Sequence, residues 1–306
     1  MSRCMRCMTE YDWQKFCPCC GRERDSGPAF EEQLPEGTVL NSRFVAGEAR
    51  YHDRIGFLYT GWDNFMQKKV FIREWYPVKI SERDGNGLTV KPLAEEALWD
   101  RLNELFLVQA SRFQNPDCIK GVIPGISCFR ENNTAYYVLE YVDGMTLQEF
   151  LQRENPLELP LAKEIGGKVN CILEEFHRRN MVHGNISPEN IFITDKGEIC
   201  LLNPAWFGSD MDSIRYMVFW SRYAPVSYRE PPVNPGPDID RFQTASVFYR
   251  MITGEEPYGV LREEKKERLP SVWEYGIEIP EKLDQELMEA LGEKYKRKSI
   301  FLRKRK

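Results

Sequence analysis

At roughly 150 residues per domain, a chain of 306 residues has room for two domains, or for one large domain with an appendage. A 42% hydrophobic share supplies a core, while 29% charged residues and a mean hydropathy of -0.52 exclude a wholly disordered chain. No apolar run approaches the ~18 residues of a membrane span, and the net charge of -5 conceals an acidic body with a basic end. Residues 294–306 carry eight Lys and Arg and no acid, so the preceding 293 residues hold 34 basic and 47 acidic groups, a net of -13. Such a body argues against a broad nucleic-acid-binding face.

The chain starts Met-Ser-Arg-Cys without a hydrophobic signal segment, so a reducing cytoplasm is expected, where clustered thiols bind metal more often than they pair. Five of the nine cysteines fall in the first 20 residues. Cys4-Met-Arg-Cys7 and Cys17-Pro-Cys19-Cys20-Gly21 form two CxxC pairs, and two such turns can bring four thiolates to the tetrahedral arrangement preferred by structural zinc. Cys4, Cys7, Cys17 and Cys20 are the expected ligands, with Cys19 pointing away; a redox thiol cluster and an unmetallated end are the other readings of the same residues. A ribbon over residues 1–25 has almost no core of its own, so metal would supply its folding energy. With nearly balanced charges it suits docking to protein. Residues 26–40, with Gly27, Pro28, Pro35 and Gly37 among acids, have the composition of a linker.

Short β-rich runs follow at 44–49, 56–62, 69–75, 121–129 and 135–141, interrupted by a helical stretch near 94–113. Helices then dominate. Ile165, Val169, Ile172, Leu173 and Phe176 keep helical spacing, as do Phe242, Ala245, Phe248, Met251 and Ile252. A sheet-rich lobe followed by a helical lobe predicts an α+β class. Cys118, Cys128, Cys171 and Cys200 lie beside core elements without paired spacing and are expected as buried small hydrophobes.

The segment His183-Gly-Asn-Ile-Ser-Pro-Glu-Asn190-Ile-Phe-Ile resembles the catalytic loop of protein kinases. Val70-Phe-Ile-Arg73-Glu resembles the third-strand lysine motif, Tyr137-Val-Leu-Glu140-Tyr-Val-Asp-Gly144 the hinge, and Asn203-Pro-Ala205 the metal-binding Asp-Phe-Gly. Tyr223-Ala-Pro-Val-Ser227 resembles the close of the activation segment, and Asp240 with Ala245 the start of the buried F helix. Six landmarks in order, from about residue 40 to about 300, identify a protein-kinase-like domain. A zinc ribbon ahead of it is similar to a type of bacterial serine/threonine kinase-like protein. The resemblance implies a bilobal fold over 41–300, a basic tail at 301–306, and His183 packed in the lobe core.

It also implies which parts of the phosphoryl-transfer apparatus have changed. Asn185 stands where the family has the proton-accepting Asp, and an amide cannot accept that proton. Asn203 replaces the metal-binding Asp, leaving Asn190 and Asn203 as neutral oxygens for a hard dication. Arg73 replaces the phosphate-binding Lys, and Phe71 a small residue set against adenine. Tyr51 and Asp53 stand at the first two glycines of the phosphate loop, with Gly56 at the last. The helix position of the paired Glu offers Phe106, with Glu104 on another face, and Ser227 leaves the usual ion pair to a late Arg such as Arg297 without its acid. Gly56, Leu58, Phe71, Arg73, Leu139, Glu140 and Tyr141 outline the altered nucleotide cleft, with weak ATP and magnesium binding at best.

The resulting expectation is a cytoplasmic pseudokinase that acts by binding a protein partner, such as an active kinase, as scaffold or allosteric regulator. The alternative is a divergent ATP-dependent serine/threonine kinase with Arg73 on the phosphates and Glu189 or Asp210 serving the metal. Aromatics between 203 and 223 either pin the activation segment or form a partner face. The basic tail, with Ile300, Phe301 and Leu302 between its charges, is either a solvated end or a contact for anionic lipid.

Overall fold

The computed structural model describes residues 2–12, 14–53, 55–114, 119–202, 223, 236–257 and 269–292. Asn203, Asp210, Ser227, Arg297, Cys118, five of the six aromatics of 203–223 and the basic tail lie outside the described residues.

Two short strands, β1 (Ser2–Arg3) and β2 (Glu10–Tyr11), pair antiparallel at the N-terminus. Next come β3 (Val39–Leu40), β4 (Phe44–His52), β5 (Phe57–Asp63) and β6 (Lys68–Glu74), then the hairpin β7 (Ser81–Arg83) and β8 (Val90–Pro92), helix α1 (Glu96–Arg112), and β9 (Gly125–Glu131) with β10 (Thr134–Glu140). One antiparallel sheet results, in the order β3-β4-β5-β6-β10-β9. Trp99, Leu102, Phe106 and Ala110 recur at helical spacing, and this face of α1 packs on β9 and β10.

β5, β6 and β10 are buried along nearly their whole length, which an antiparallel sheet with one wet face would not be. Phe71, Arg73 and Trp75 point one way, and Trp75 meets Phe106 of α1 with ring centroids 5.5 Å apart. Tyr59, Glu74 and Tyr136 point the other way, where the segment expected to be a linker covers them. Leu34 and Leu40 are fully buried, and the Leu34 amide donates to Tyr59 Oη at 3.0 Å. Glu74, also fully buried, accepts from Tyr59 at 2.7 Å, Tyr136 at 3.1 Å and both terminal nitrogens of Arg83 at 2.7 and 2.8 Å. Residues 33–40 are thus a strap on the lobe, although 26–29 are exposed as a linker would be. Its two leucines, six residues apart, were too sparse to register as a pattern.

The second lobe opens with β11 (Gly144–Thr146) and the short α2 (Leu147–Leu151), which begins with a reciprocal Thr146/Glu149 capping box. Then come α3 (Leu159–Arg178), β12 (Ile191–Thr194), β13 (Ile199–Leu201), α4 (Pro237–Thr253) and α5 (Glu281–Ala290). α3 buries Ile165, Val169, Ile172, Leu173 and Phe176 and packs against α4 and β13. Cys171 sits on the outer face of α3 and is exposed, while Cys128 and Cys200 are half-buried, so the expectation of buried cysteines fails there. Adjacency to Ile172 in sequence is about 100° away on a helix.

α4 positions the loop that follows α3. Pro237 occupies its first turn, where a missing N–H costs nothing, and Gly254, with φ of 81°, ends it. Asp240, fully buried in that first turn, accepts from the His183 amide at 3.0 Å and the Gly184 amide at 2.6 Å, and lies 2.8 Å from His177 Nε2. Gln243, one helical turn on, accepts from the Ile186 amide at 2.9 Å and donates to the Gly184 carbonyl at 2.9 Å. Gly184 has φ of 65°, which suits its lack of a side chain.

His183 is fully buried, edge-on to Phe176 at 5.3 Å, as expected. Burial pushes its imidazole down to about 3, so it stays neutral. The unfolded chain takes up this proton below about pH 6.5. Between that value and about 3 the unfolded state binds more protons, so stability is complete above the window and declines as pH falls through it, by ~1.4 kcal/mol per unit well inside. Urea midpoints measured from pH 7 to pH 5 are therefore expected to fall more steeply for the native protein than for His183→Phe. Asp240, raised by burial, opposes this trend in both proteins alike.

Candidate functional site

Two constellations stand out, a sulfur cluster in the N-terminal ribbon and the cleft between the lobes. Cys4, Cys7, Cys17 and Cys20 offer ligand atoms within 4.8 Å of one another, with Cys4–Cys20 and Cys7–Cys17 sulfurs 3.6 Å apart. Four sulfurs at ~2.3 Å from a common centre would be separated by about 3.8 Å, so this donor set fits a tetrahedral thiophilic metal. Gly21, at φ of 71°, turns the chain after the second pair and donates to the Cys17 carbonyl at 2.8 Å. Cys19 is exposed and outside the cluster. The ribbon packs against β4 and β5. The Glu48 amide of β4 donates to the Met5 carbonyl at 2.7 Å, and Arg3 lies over the Trp62 ring at 3.6 Å.

In the cleft, β6 brings Phe71 and Arg73, β4 brings Tyr51, and the loop after β4 brings Asp53 and Gly56. Arg73 is fully buried; it donates to the Gly56 carbonyl at 3.0 Å and pairs with Asp53 Oδ1. The same carboxylate oxygen accepts from the Ile55 amide at 2.8 Å and the Gly56 amide at 3.1 Å. The cation and the loop amides that could face a phosphate are therefore directed at an anion of the chain itself. Gly56 has φ of 148°, and a Cβ there would collide with the Glu74 carbonyl, so the loop is pressed against β6.

Phe71, fully buried, lies 4.8 Å from Tyr141 of the hinge and 5.7 Å edge-on from Phe192 of β12. Arg50 sits over Phe71 and Phe192, at 5.7 and 5.5 Å, and spans the lobes to both Glu149 oxygens at 3.0 Å. Next to it Tyr51 donates its hydroxyl to Asn190 Oδ1 at 3.2 Å. Burial pushes that phenol well above its usual range, so it remains a neutral donor. The Asn190 amide nitrogen in turn donates to the Asn185 carbonyl and Ser187 Oγ, both at 3.2 Å. Burial also raises Glu189, with the negative Asp53 nearby adding to it.

Gly56 and Arg73 meet at Asp53, Phe71 meets Tyr141, and Tyr51 reaches the loop residue Asn190, which donates to the Asn185 carbonyl. Leu58 and Leu139 are buried on the strands beside Arg73 and Phe71. Glu140 instead faces solvent, its amide donating to the Pro124 carbonyl at 2.9 Å. Phe106 is buried and Glu104 exposed, as their helix faces required. Sequence reasoning missed the roles of Arg50, Glu149 and His177; the Thr146-x-x-Glu149 capping signature was the one local signal among them.

A family model for the protein kinase domain matches residues 100–289. Among curated proteins, the chain is similar to a probable serine/threonine-protein kinase PknB of Lactococcus lactis, 22% identical over 57% of this chain and 29% of that protein. It is likewise similar to the serine/threonine-protein kinase PrkC of Bacillus subtilis, 24% identical over 52% of this chain and 26% of that one. The chain therefore spans less than a third of these relatives' length. Among solved structures, PpkA-294 in its apo form superposes with a TM-score of 0.66 at 19% identity, covering 85% of this chain and 93% of that one. A double mutant of the Mycobacterium tuberculosis PknI kinase domain gives 0.58 at 15%, covering 84% and 90%. At such identities these structures speak for the fold alone, and they agree with the sheet-and-helix lobes described above. Since the family model covers well over half of the chain, from within α1 through the hinge and the loop hung from Asp240 into α5, the chain belongs to the protein kinase domain family.

Proposed function

We propose that this chain is a pseudokinase, a kinase-fold protein that acts by binding a protein partner, such as an active kinase, as a scaffold or allosteric regulator. One observation carries the reading: the groups that would receive a nucleotide are already paired within the chain. Arg73 is neutralised by Asp53, the Asn190 oxygen is taken by Tyr51, and Phe71 is enclosed by Phe192 and Tyr141. Entry of ATP would require breaking these contacts and burying triphosphate next to Asp53 and Glu189. Asn185 in place of a carboxylate removes the proton acceptor, a loss of roughly 10² to 10⁴ in rate on its own.

The four-cysteine cluster supports a structural zinc site, closed to substrate because all four positions are protein thiols. No helix among the described residues is long and apolar enough to cross a membrane. A cytoplasmic protein is our reading of the clustered thiols, and a lipid-contacting role for the basic tail that of its charge pattern.

Calorimetric titration of the full chain with ATP, alone and with magnesium, is expected to give no saturable heat up to millimolar nucleotide. Saturable binding strengthened by magnesium would reinstate the divergent-kinase reading. Phe71→Ala, which empties the space between Tyr141 and Phe192, is expected to cost ~3 kcal/mol of stability and to make melting temperature respond to ATP, unlike the native chain. Atomic emission should find one zinc per chain, and Cys7→Ser should lose it together with several degrees of melting temperature.

A further inference from the structure

The ribbon grips the very strand from which the cleft is closed. Gly47 and Glu48 immediately precede Ala49, Arg50 and Tyr51 on β4. Pairing of β4 with β5 is irregular here, shifting register between Ala46 and Ala49 and again between Ala49 and Tyr51. The ribbon supplies what the ladder lacks at this bulge, since the Glu48 amide donates to the Met5 carbonyl at 2.7 Å. Met8, buried to 1% exposure with φ of 59°, sits over Gly47 so closely that any Cβ would collide with its methyl group.

The Glu48 carboxylate is held from two sides. Arg6 Nε meets Oε1 at 2.9 Å and Arg22 Nε meets Oε2 at 2.5 Å, while Arg22 also forms a two-pronged pair with Glu36 at 3.0 and 2.6 Å. Arg6 lies between Cys4 and Cys7, and Arg22 follows Cys20 and Gly21. Both guanidinium groups are therefore placed by the turns that present the sulfurs. Two and three residues beyond Glu48, Arg50 reaches Glu149 and Tyr51 reaches Asn190, the contacts that tie β4 to the second lobe.

We infer that metal occupancy of the Cys4, Cys7, Cys17 and Cys20 cluster governs closure of the interlobe cleft through Glu48 and the β4 bulge. With the ribbon folded, Arg6 and Arg22 hold Glu48, and the bulge aims Arg50 and Tyr51 across the cleft. Without metal the two turns lose their common centre, Glu48 loses its partners, and the lobes part. Linkage makes the coupling reciprocal, so the closed cleft also slows metal loss. The inference rests on the reading of the four sulfurs as a metal site.

Hydrogen–deuterium exchange by mass spectrometry on the full chain tests it, after zinc content has been counted. Chelation is expected to accelerate exchange about tenfold or more over residues 50–57 and 187–192 while leaving α3 and α4 protected. Glu48→Gln, with its zinc retained, should show the same acceleration without chelator and no further cleft response when chelator is added. Tyr51→Phe should release zinc to a chromogenic chelator several-fold faster than the native chain. A cleft that stays protected in chelated protein or in Glu48→Gln would overturn the coupling, as would acceleration extending equally through α3 and α4. A protein isolated without zinc would instead overturn the metal reading beneath it.

Discussion

A guanidinium with no exposure to water must be met by an anion, and the arrangement of the cleft follows from how Arg73 meets this requirement. Its partner is Asp53, on the loop between β4 and β5, and the pair draws that loop down onto β6. Once Asp53 is there, the Ile55 and Gly56 amides turn to it as well. β4 then lies close enough over the second lobe for Tyr51 to reach Asn190 and for Arg50 to reach Glu149. Removing Asp53 would leave the Arg73 guanidinium buried without its counter-charge, which is far costlier than losing an exposed pair.

The second lobe obeys a separate constraint. Asp240 gathers two backbone amides and the His177 ring, and Gln243 gathers an amide and a carbonyl of the same loop. None of these contacts uses the side chain of Asn185. The loop's shape is set from α4, through backbone groups held on Asp240 and Gln243. In the same loop His183 is a neutral ring packed on Phe176.

Much of this was legible in the sequence. The five long strands and the helices α1, α3 and α4 follow local periodicity, and the two CxxC turns carry their own spacing signal. Asp53 and Phe71 stand out in the sequence because each departs from a motif at a known position. Their partners were less visible. Tyr51 and Asn190 are 139 residues apart and Arg50 and Glu149 are 99 apart, so no local period links them. The strap has the composition of a linker, since composition reports the prolines and glycines and is silent on where Leu34 and Leu40 land. Cys171 has core residues as its sequence neighbours, yet a single step along a helix changes the face.

The strap bears on where this folding unit begins. Leu34 and Leu40 close the outer face of the sheet, the Leu34 amide satisfies Tyr59, and the Glu32 carbonyl accepts from Arg83 at 3.1 and 2.9 Å. Arg83 is the cation that neutralises the buried Glu74. A piece cut at the start of β4 would leave a wet sheet face above a carboxylate whose counter-charge had lost its support. The smallest segment that keeps its buried groups partnered starts in the cysteine ribbon, where Arg22 meets Glu48, so ribbon, strap and first lobe pack as one body.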